Sequence, residues 1–294
     1  MEANKGTNSG QLETVKCVFC NSDETVVVYD FRLMKIVSCK DCGLVYTNPR
    51  NRLSAVQGRL YEKDYWTAYQ KYYERNLPAV QNFCRTWLNE LAKYMGKKEW
   101  RICELGPGLG TFLTEARKLG HHVEGIEFSE FATHYAGTKL GIETIHFGTV
   151  DVLDRLGTFD VFVMFAVIEH LHQPLEALVK INHHISDGGL LLLSTGVYGS
   201  FNQRVAGEAW QIIAPQGHLF YFSKTTIRRI LEKAGFSVTR LETNSALVNV
   251  LTKNRLLVRF FNNWITRLLQ IPLLTRKMKL GDEMFIIAKK TRHV

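Results

Sequence analysis

Long apolar runs are missing from this 294-residue chain. The longest, residues 161–168, is far shorter than the roughly 20 residues of a membrane-spanning helix, and a buried strand with its exit explains it better. The first ten residues are polar and lack the apolar core of a secretory signal. Internal repeats, low-complexity tracts and Pro/Ser-rich linkers are missing too. These absences predict a soluble, cytoplasmic protein whose parts pack against one another.

Cysteine is scarce, and four of the six cysteines form two C-x-x-C pairs: Cys17, Cys20, Cys39 and Cys42. Eighteen residues separate the pairs, a spacing typical of a zinc ribbon whose two knuckles close a tetrahedral thiolate shell around structural Zn²⁺. Disulfides are the competing explanation, disfavoured without a secretory signal, and a redox C-x-x-C is a third. Cys84, in a predicted helix, and Cys103, in a predicted strand, are expected in the core.

The composition is that of a globular protein with a sizeable core. Hydrophobic residues make up 46% of the chain and charged residues 22%. Residues 25–29 and 34–38 are β-prone, which suits the hairpins of a ribbon. Length and composition therefore predict one small domain, the ribbon at residues 1–50, and one large domain.

A short apolar strand, Ile102–Leu105, ends in three closely spaced glycines: Gly106, Gly108 and Gly110. Glycine lets a backbone turn sharply and approach a ligand without a Cβ in the way. A dinucleotide fingerprint would need its third glycine at Thr111, which weakens a nicotinamide or flavin interpretation. A second strand ends at Glu127, whose carboxylate can accept hydrogen bonds from both ribose hydroxyls. The pattern indicates a nucleoside-cofactor site; the alternative is a tight turn in an inactive α/β domain.

Four ordered motifs within residues 99–242 resemble those of the class I S-adenosylmethionine-dependent methyltransferases. They are the glycine loop at residues 104–110, the fourth strand at 159–164, the segment Ile168–Leu171, and the turn and fifth strand at 187–195. The resemblance implies an α/β fold with a Rossmann-like seven-stranded methyltransferase sheet. Its antiparallel seventh strand falls at residues 283–289, between the fifth and sixth strands, and the small β zinc ribbon precedes the sheet.

The resemblance also implies which residues contact S-adenosylmethionine. Gly106 and Gly108 are expected near the methionine half, Glu127 at the ribose, and residues 148–150 beside the adenine. The implied cofactor-binding residues are Glu104, Gly106, Gly108, Gly110, Glu127, Phe128, Gly148, Thr149, Val150, Phe165 and Ala166.

Two histidines are candidates for a general base. His218 lies in residues 198–222, a connection too long for a simple turn and expected to form part of the acceptor pocket. A histidine at the equivalent place often lies near the substrate in similar small-molecule methyltransferases, so His218 is the first candidate. His170 is the second, because it follows the fourth strand at the edge where open α/β sheets bind ligands. A structural role competes with base catalysis for His170.

Residues 51–98 are predicted to be a helical, aromatic lid or linker. Tyr61, Tyr65, Tyr69 and Tyr72 recur at helical spacing and share one face. We expect this face to pack in the core, the alternative being a platform that orients a sugar or polyketide.

Positive charge concentrates in the C-terminal part. From Lys224 onward there are 15 Lys or Arg against 4 Asp or Glu, which leaves 22 against 24 for residues 1–223. Within this basic part, Leu247–Leu269 is predicted to be an amphipathic helix flanked by arginines. Packing on the large domain or on a second subunit in a homodimer is the leading interpretation. Peripheral contact with an anionic membrane or a lipid-linked substrate is the next, and contact with nucleic acid is the least favoured.

The chain is thus interpreted as a zinc ribbon joined to a methyltransferase domain at residues 99–294, with insertions at 198–222 and 243–280. The expected activity moves a methyl group from S-adenosylmethionine to a small hydroxylated, sugar-like or natural-product acceptor. An RNA methyltransferase is the main alternative, although the fourth-strand exit reads Phe165-Ala166-Val167 and not a base-binding Asn-Pro-Pro-Tyr motif. A non-catalytic scaffold that keeps the cofactor fold is the second alternative.

Overall fold

The computed structural model describes residues 11–56, 63–96, 98–244, 281–292 and 294. The strands in this part of the chain are β1 (Leu12–Glu13), β2 (Thr25–Phe31), β3 (Met34–Cys39), β4 (Val45–Thr47), β5 (Arg50–Asn51), β6 (Arg101–Leu105), β7 (His122–Glu127), β8 (Ile145–Phe147), β9 (Phe159–Phe165), β10 (Ile185–Gly196), β11 (Phe220–Tyr221), β12 (Phe236–Asn244) and β13 (Glu283–Lys290). The α-helices are α1 (Leu53–Val56), α2 (Lys63–Ala92), α3 (Thr111–Lys118), α4 (Glu130–Leu140), α5 (Pro174–His184), α6 (Phe201–Ala206) and α7 (Lys224–Lys233). None of these helices combines the length and apolarity needed to span a bilayer.

A seven-stranded sheet forms the centre of the molecule, in the order β12-β13-β10-β9-β6-β7-β8. Strands β6 to β10 pair in parallel, whereas β13 is antiparallel to both β10 and β12. The antiparallel strand thus lies between the fifth and sixth strands of the large sheet. The predicted Rossmann-like methyltransferase sheet is confirmed.

Both faces of this sheet are buried, because side chains alternate between two apolar layers. Cys103, Phe162 and Leu191 belong to one cluster, which also contains residues of α5 and α7. Ile102 and Val161 belong to the other, which is covered by α2 and α3. Burial on both faces explains why the central strands are almost continuously apolar in sequence. Cys84 and Cys103 are both buried and reduced, as expected for core residues.

The ribbon contains a smaller sheet with the order β11-β4-β3-β2. Cys39 ends its strand β3, and Cys17, Cys20 and Cys42 lie outside its strands. The three N-terminal strands of this sheet are those of a ribbon, but the fourth comes from the segment 198–222, which sequence analysis assigned to the acceptor pocket. Phe220 pairs with Tyr46, and Tyr221 with Val45. Part of that insertion therefore forms the fourth strand of the small sheet. The local sequence does not predict this pairing.

The ribbon packs directly on the large domain through α7. Lys233 Nζ donates to the Phe19 carbonyl at 2.8 Å, and an Arg229 Nη donates to the Cys42 carbonyl at 3.0 Å. The Arg229 guanidinium also lies 5.0 Å from the centre of the Phe19 ring, a cation–π contact. The buried cysteines of the ribbon share one apolar cluster with the large sheet.

The buried face of α2 differs from the tyrosine face chosen from sequence. Trp66 and Tyr73, two turns apart, are 6% and 7% exposed. Tyr69 is 41% exposed and touches Trp66 edge to face, with 5.6 Å between ring centroids. The face of α2 that carries Trp66 and Tyr73 is the buried one, because it packs against the apolar side chains of Leu109 and Ala132. Tyr61 and the side chains of Tyr65 and Tyr72 lie outside the described residues.

The predicted amphipathic helix at 247–269 and most of the 243–280 insertion fall within residues 245–280, outside the described residues. The homodimer and membrane interpretations that rest on them stay predictions.

Candidate functional site

The glycine loop between β6 and α3 is the centre of the candidate cofactor site. Gly106 and Gly108 have φ values of +71° and +54°, a region that other residues rarely adopt. A Cβ on Gly106 would lie 2.6 Å from a methyl carbon of Val167, and one on Gly108 would lie 3.3 Å from the Trp66 ring. Both positions therefore require glycine. The N–H groups of Gly106, Gly108 and Gly110 already donate to Ile126, Glu127 and Pro107, so the glycines offer a ligand space close to the backbone and not free donors.

Glu127, at the end of β7, is tied to this loop. Its Oε2 accepts from the Gly108 N–H and its Oε1 from the Ser129 N–H, each at 2.9 Å. Burial raises the pKa of the Glu127 carboxyl, while its backbone hydrogen bonds oppose that rise. A carboxylate has about four acceptor positions, so two remain for donors such as ribose hydroxyls.

Glu104 supplies a second buried carboxyl one strand away. Burial, followed by the nearby Glu127 charge, raises the pKa of Glu104 well above its ordinary value. Its Oε2 is buried without a hydrogen-bond partner. Two neighbouring acids in a dry site separate into one neutral and one charged form. The bare glycine backbone and the unmatched Glu104 oxygen both fit a polar ligand bound here.

The segment proposed to flank the adenine lies beside Glu127. The Gly148 N–H donates to the Glu127 backbone carbonyl at 2.9 Å, which places residues 148–150 at the carboxyl ends of the strands. Thr149 caps the following 3₁₀ turn, its hydroxyl accepting from the Asp151 N–H. Phe128 is half-buried next to Glu127.

The exit of β9 brings two more of the candidate residues to this edge. Ala166 has a φ of +52°, and its N–H donates to the Ser194 carbonyl at 3.1 Å. Phe165 meets both Phe83 and Phe112 edge to face at 5.4 Å, so it fixes α2 and α3 against the strand end. Ala166 is exposed, and its neighbour Val167 lies against Gly106 of the glycine loop.

The two candidate catalytic histidines meet one another, although 48 positions separate them in the chain. The ring centroids of His170 and His218 are 4.7 Å apart. The Nδ1 atom of His170 lies 2.9 Å from the Gly217 carbonyl oxygen, and that of His218 lies 2.7 Å from the Ile212 carbonyl oxygen. Both rings are therefore held by backbone groups near the carboxyl end of β9.

Sequence analysis missed two acids at this place, Glu169 and Glu283. Glu169 is 4% exposed, and burial raises the pKa of its carboxyl although the nearby His218 opposes the rise. Burial also raises the pKa of Glu283 to about 7, while the Ser194 hydroxyl donates to it at 3.2 Å. A signal existed for both: Glu169 precedes His170, and Glu283 begins the antiparallel strand and so reaches the same edge.

Burial lowers the pKa of both histidines. For His170 the hydrogen bond to Gly217 opposes this shift. For His218 the neighbouring His170 lowers the pKa further, and Glu169 raises it. Neutral imidazoles at this edge can accept a proton or a cation.

The cysteine cluster forms a second, separate centre in the ribbon. All four sulfurs lie within 4.8 Å of one another, and the Cys17–Cys42 and Cys20–Cys39 sulfur pairs are both 3.4 Å apart. A tetrahedral shell with Zn–S bonds of about 2.3 Å has sulfur–sulfur edges of about 3.8 Å. The cluster therefore fits one small tetrahedral cation. Burial raises the pKa of the Cys17 thiol to about 11, and a bound cation would reverse that by stabilising the thiolate.

A family model described as a methyltransferase domain matches residues 73–241. Malonyl-[acyl-carrier protein] O-methyltransferase of Bacillus anthracis is 28% identical over 151 residues, covering 48% of this chain and 56% of the relative. The tRNA U34 carboxymethyltransferase of Psychromonas ingrahamii is 24% identical over 148 residues, covering 48% and 45%. This chain thus spans about half the length of these relatives.

Solved structures share the fold. A SAM-dependent methyltransferase from Archaeoglobus fulgidus aligns with a TM-score of 0.52 at 19% identity, covering 76% of this chain and 99% of that chain. At this identity the likeness shows a shared fold. Because the family model covers more than half of the sequence and the sheet has this topology, the chain belongs to the methyltransferase domain family, with the fold of the class I S-adenosylmethionine-dependent enzymes.

Proposed function

We propose that this protein transfers a methyl group from S-adenosylmethionine to a small hydroxylated acceptor, such as a sugar-like or natural-product metabolite. The observation that carries the proposal is the hydrogen bond between the Gly108 N–H and the Glu127 carboxylate, 2.9 Å long, at the carboxyl ends of β6 and β7. This pairing joins a loop whose glycine positions cannot carry side chains to an acid with acceptor positions that remain unused.

The cofactor supplies an electrophilic methyl group on a sulfonium sulfur. In this proposal Gly106, Gly108 and Gly110 leave space for it, Glu127 binds the ribose hydroxyls, and residues 148–150 lie beside the adenine. Glu104, buried and held mostly neutral, can donate or accept at its unmatched oxygen. Phe128, Phe165 and Ala166 line the same edge of the sheet.

The acceptor end is proposed at His218 and His170. Both lie next to the turn that contacts the glycine loop, since Val167 touches Gly106 and His170 follows three residues later. The Nδ1 atoms face backbone carbonyls, which leaves the Nε2 atoms as the nitrogens that can act on an acceptor hydroxyl. His218 remains the first candidate and His170 the second.

We further propose that the ribbon binds one structural Zn²⁺ through Cys17, Cys20, Cys39 and Cys42. Four thiolates close the coordination shell, so this cation is architectural and leaves no position for substrate. Its support is the sulfur geometry given above.

RNA methylation is the second candidate, and the tRNA-modifying relative together with the basic C-terminal part of the chain favours it. A ribbon with four thiolates around one divalent cation carries negative charge, which makes that surface poorly suited to phosphate.

Methyl-labelled S-adenosylmethionine, incubated with the full chain and with separate metabolite, lipid and RNA extracts, tests the proposal. Label is expected in the metabolite fraction. A Gly106→Val variant is the inactive control, because a side chain there meets Val167 and the left-handed backbone together. Label in RNA alone would replace the proposed acceptor class with nucleic acid.

A further inference from the structure

Glu169, His170 and His218 converge on a single point. One carboxylate oxygen and one ring nitrogen from each histidine all lie within 4.8 Å of one another. Glu169 and His170 belong to the 3₁₀ turn after β9, whereas His218 precedes β11. The Leu219 N–H donates to the Glu169 carbonyl at 2.8 Å, so the two segments are held together at the place where the side chains meet.

Both imidazoles are oriented as metal ligands are. A backbone carbonyl only accepts hydrogen bonds, so the Nδ1 atoms facing Gly217 and Ile212 must carry the hydrogens. In each neutral ring the lone pair then belongs to Nε2. An outer hydrogen bond from the second ring nitrogen to a backbone carbonyl is the usual support of a ligating histidine.

The buried carboxyl group of Glu169 has an oxygen that a bound cation would satisfy. Its side chain is 4% exposed, and its Oε2 is buried without a hydrogen-bond partner. Leaving a carboxylate oxygen buried and unmatched is costly, whereas coordination to a cation satisfies it. Glu283, a further buried acid, interacts electrostatically with Glu169, and a cation at this end of β10 would stabilise the charged form of both carboxyls.

We propose that Glu169, His170 and His218 form a binding site for a divalent cation, distinct from the ribbon centre. Two imidazoles and one carboxylate on adjoining segments suit Mn²⁺, Fe²⁺, Co²⁺ or Zn²⁺ and leave coordination positions open. Both histidines are only half-buried, so the open side faces the partly accessible edge.

The role of this cation rests on the proposed function, whereas its binding does not. A hydroxyl coordinated to a divalent cation loses its proton more readily, so the site would bind an acceptor oxygen and release that proton to solvent. His218 then acts as a ligand and not as a free base. The competing arrangement is a proton shared between Glu169 and His218 without any metal.

A titration of the full, zinc-loaded chain with Mn²⁺ tests the site. Binding is measured by the loss of the electron paramagnetic resonance signal of free Mn²⁺. Mn²⁺ is chosen because thiolate sites disfavour it. One Mn²⁺ per chain is expected, and Glu169→Gln, His170→Gln and His218→Gln should each weaken binding by roughly 10-fold or more. His146→Gln is the matched control, because His146 on β8 also faces a carboxylate, that of Glu124 on β7, at 3.4 Å.

Thermal melting distinguishes a lost ligand from a lost fold. Without Mn²⁺, Glu169→Gln should melt no lower than the unmodified protein, because it removes an unmatched buried carboxylate. With Mn²⁺, the unmodified protein and His146→Gln should melt higher, and Glu169→Gln should not.

The proposal is overturned if the chain takes up no Mn²⁺ and no zinc beyond that of the ribbon, or if all three substitutions leave uptake unchanged. Methyl transfer measured in parallel keeps the two proposals apart. Label transfer without cation uptake removes only the cation site, and cation uptake without label transfer in any extract removes the proposed function.

Discussion

At the residue scale, the two neighbouring acids of the candidate cofactor site, Glu104 and Glu127, have different surroundings. The Glu127 carboxylate accepts hydrogen bonds from two backbone N–H groups, whereas Oε2 of Glu104 is buried without a hydrogen-bond partner. Burial raises the pKa of both carboxyls, but only Glu127 has backbone N–H donors that oppose the rise. Burial and backbone donors together decide the charge of each carboxyl.

The Glu127→Ala variant should bind S-adenosylmethionine more weakly by roughly 1 to 3 kcal/mol, because charge-assisted hydrogen bonds to the ribose are lost. Isothermal titration calorimetry measures this directly. Glu130→Ala, an exposed acid in the first turn of α4, should bind as tightly as the unmodified protein. Equal affinities for all the proteins would contradict the ribose assignment.

Glu283 should make stability depend on pH. Its pKa rises from 4.5 to about 7 on folding, so the folded state holds a proton that the unfolded state has released. Between pH 4.5 and 7 the free energy of unfolding should therefore fall as pH rises, by a total of about 3 kcal/mol. The contribution is fully present below pH 4.5 and is lost above pH 7.

Urea denaturation at pH 5, 6, 7 and 8 measures this dependence, and Glu283→Gln should flatten it. Glu143→Gln, at an exposed acid after α4, should keep the slope. A slope that survives in Glu283→Gln would show that another group titrates in this range.

At the scale of elements, the ribbon supports the segment that carries His218. Strand β4 pairs with β11, and the Thr47 N–H donates to the Leu219 carbonyl at 2.9 Å. The Thr47 hydroxyl donates to the His218 carbonyl, also at 2.9 Å. From the next strand, Asn51 Nδ2 donates to the Gln216 carbonyl at 3.0 Å. Strands β4 and β5 therefore fix the backbone on both sides of His218.

Thr47→Val should remove one of these bonds and lower the free energy of unfolding by about 1 kcal/mol. The cost stays modest because the Tyr221 hydroxyl also donates to the His218 carbonyl, at 3.2 Å. Urea denaturation gives the stability, and the Mn²⁺ titration described above should show weaker binding. The control is Thr25→Val, on the ribbon strand β2 that lies farthest from β11, which should leave Mn²⁺ binding unchanged. If Thr47→Val binds Mn²⁺ as tightly as the unmodified protein does, the ribbon does not position His218.

At the scale of the whole molecule, the ribbon and the large sheet share one core. Cys17, Phe19 and Cys39 lie in the same apolar cluster as Leu105 and Phe162 of the central strands. A shared core makes the two parts unfold together, since opening one exposes the buried surface of the other.

Cys39→Ser should therefore lose the ribbon zinc and lower the melting temperature of the entire chain, not of the ribbon alone. Elemental analysis gives the metal content, and calorimetry shows how many transitions occur. Cys84→Ala removes a buried thiol outside the cluster and should keep the zinc. Two separate transitions in Cys39→Ser would contradict a shared cooperative core.

The sequence by itself determined the sheet, the glycine loop, the acid at the end of β7 and the cysteine pairs. Each of these depends on local physics: alternation along buried strands, the steric freedom of glycine at positive φ, and the close spacing of two thiolates on one knuckle. The two histidines could also be named as candidates, because each lies in or beside a recognisable segment, and their catalytic role stays a prediction.

Only the tertiary structure decided that Glu169, His170 and His218 meet, that β11 completes the ribbon sheet, and that Trp66 and Tyr73 form the buried face of α2. These contacts join segments distant in the chain, and their side chains carry no local signal of the partner they will face. The packing of the whole core decides which surfaces come together. A contact between distant segments becomes favourable only when the burial of apolar surface outweighs the entropy lost in ordering the chain between them.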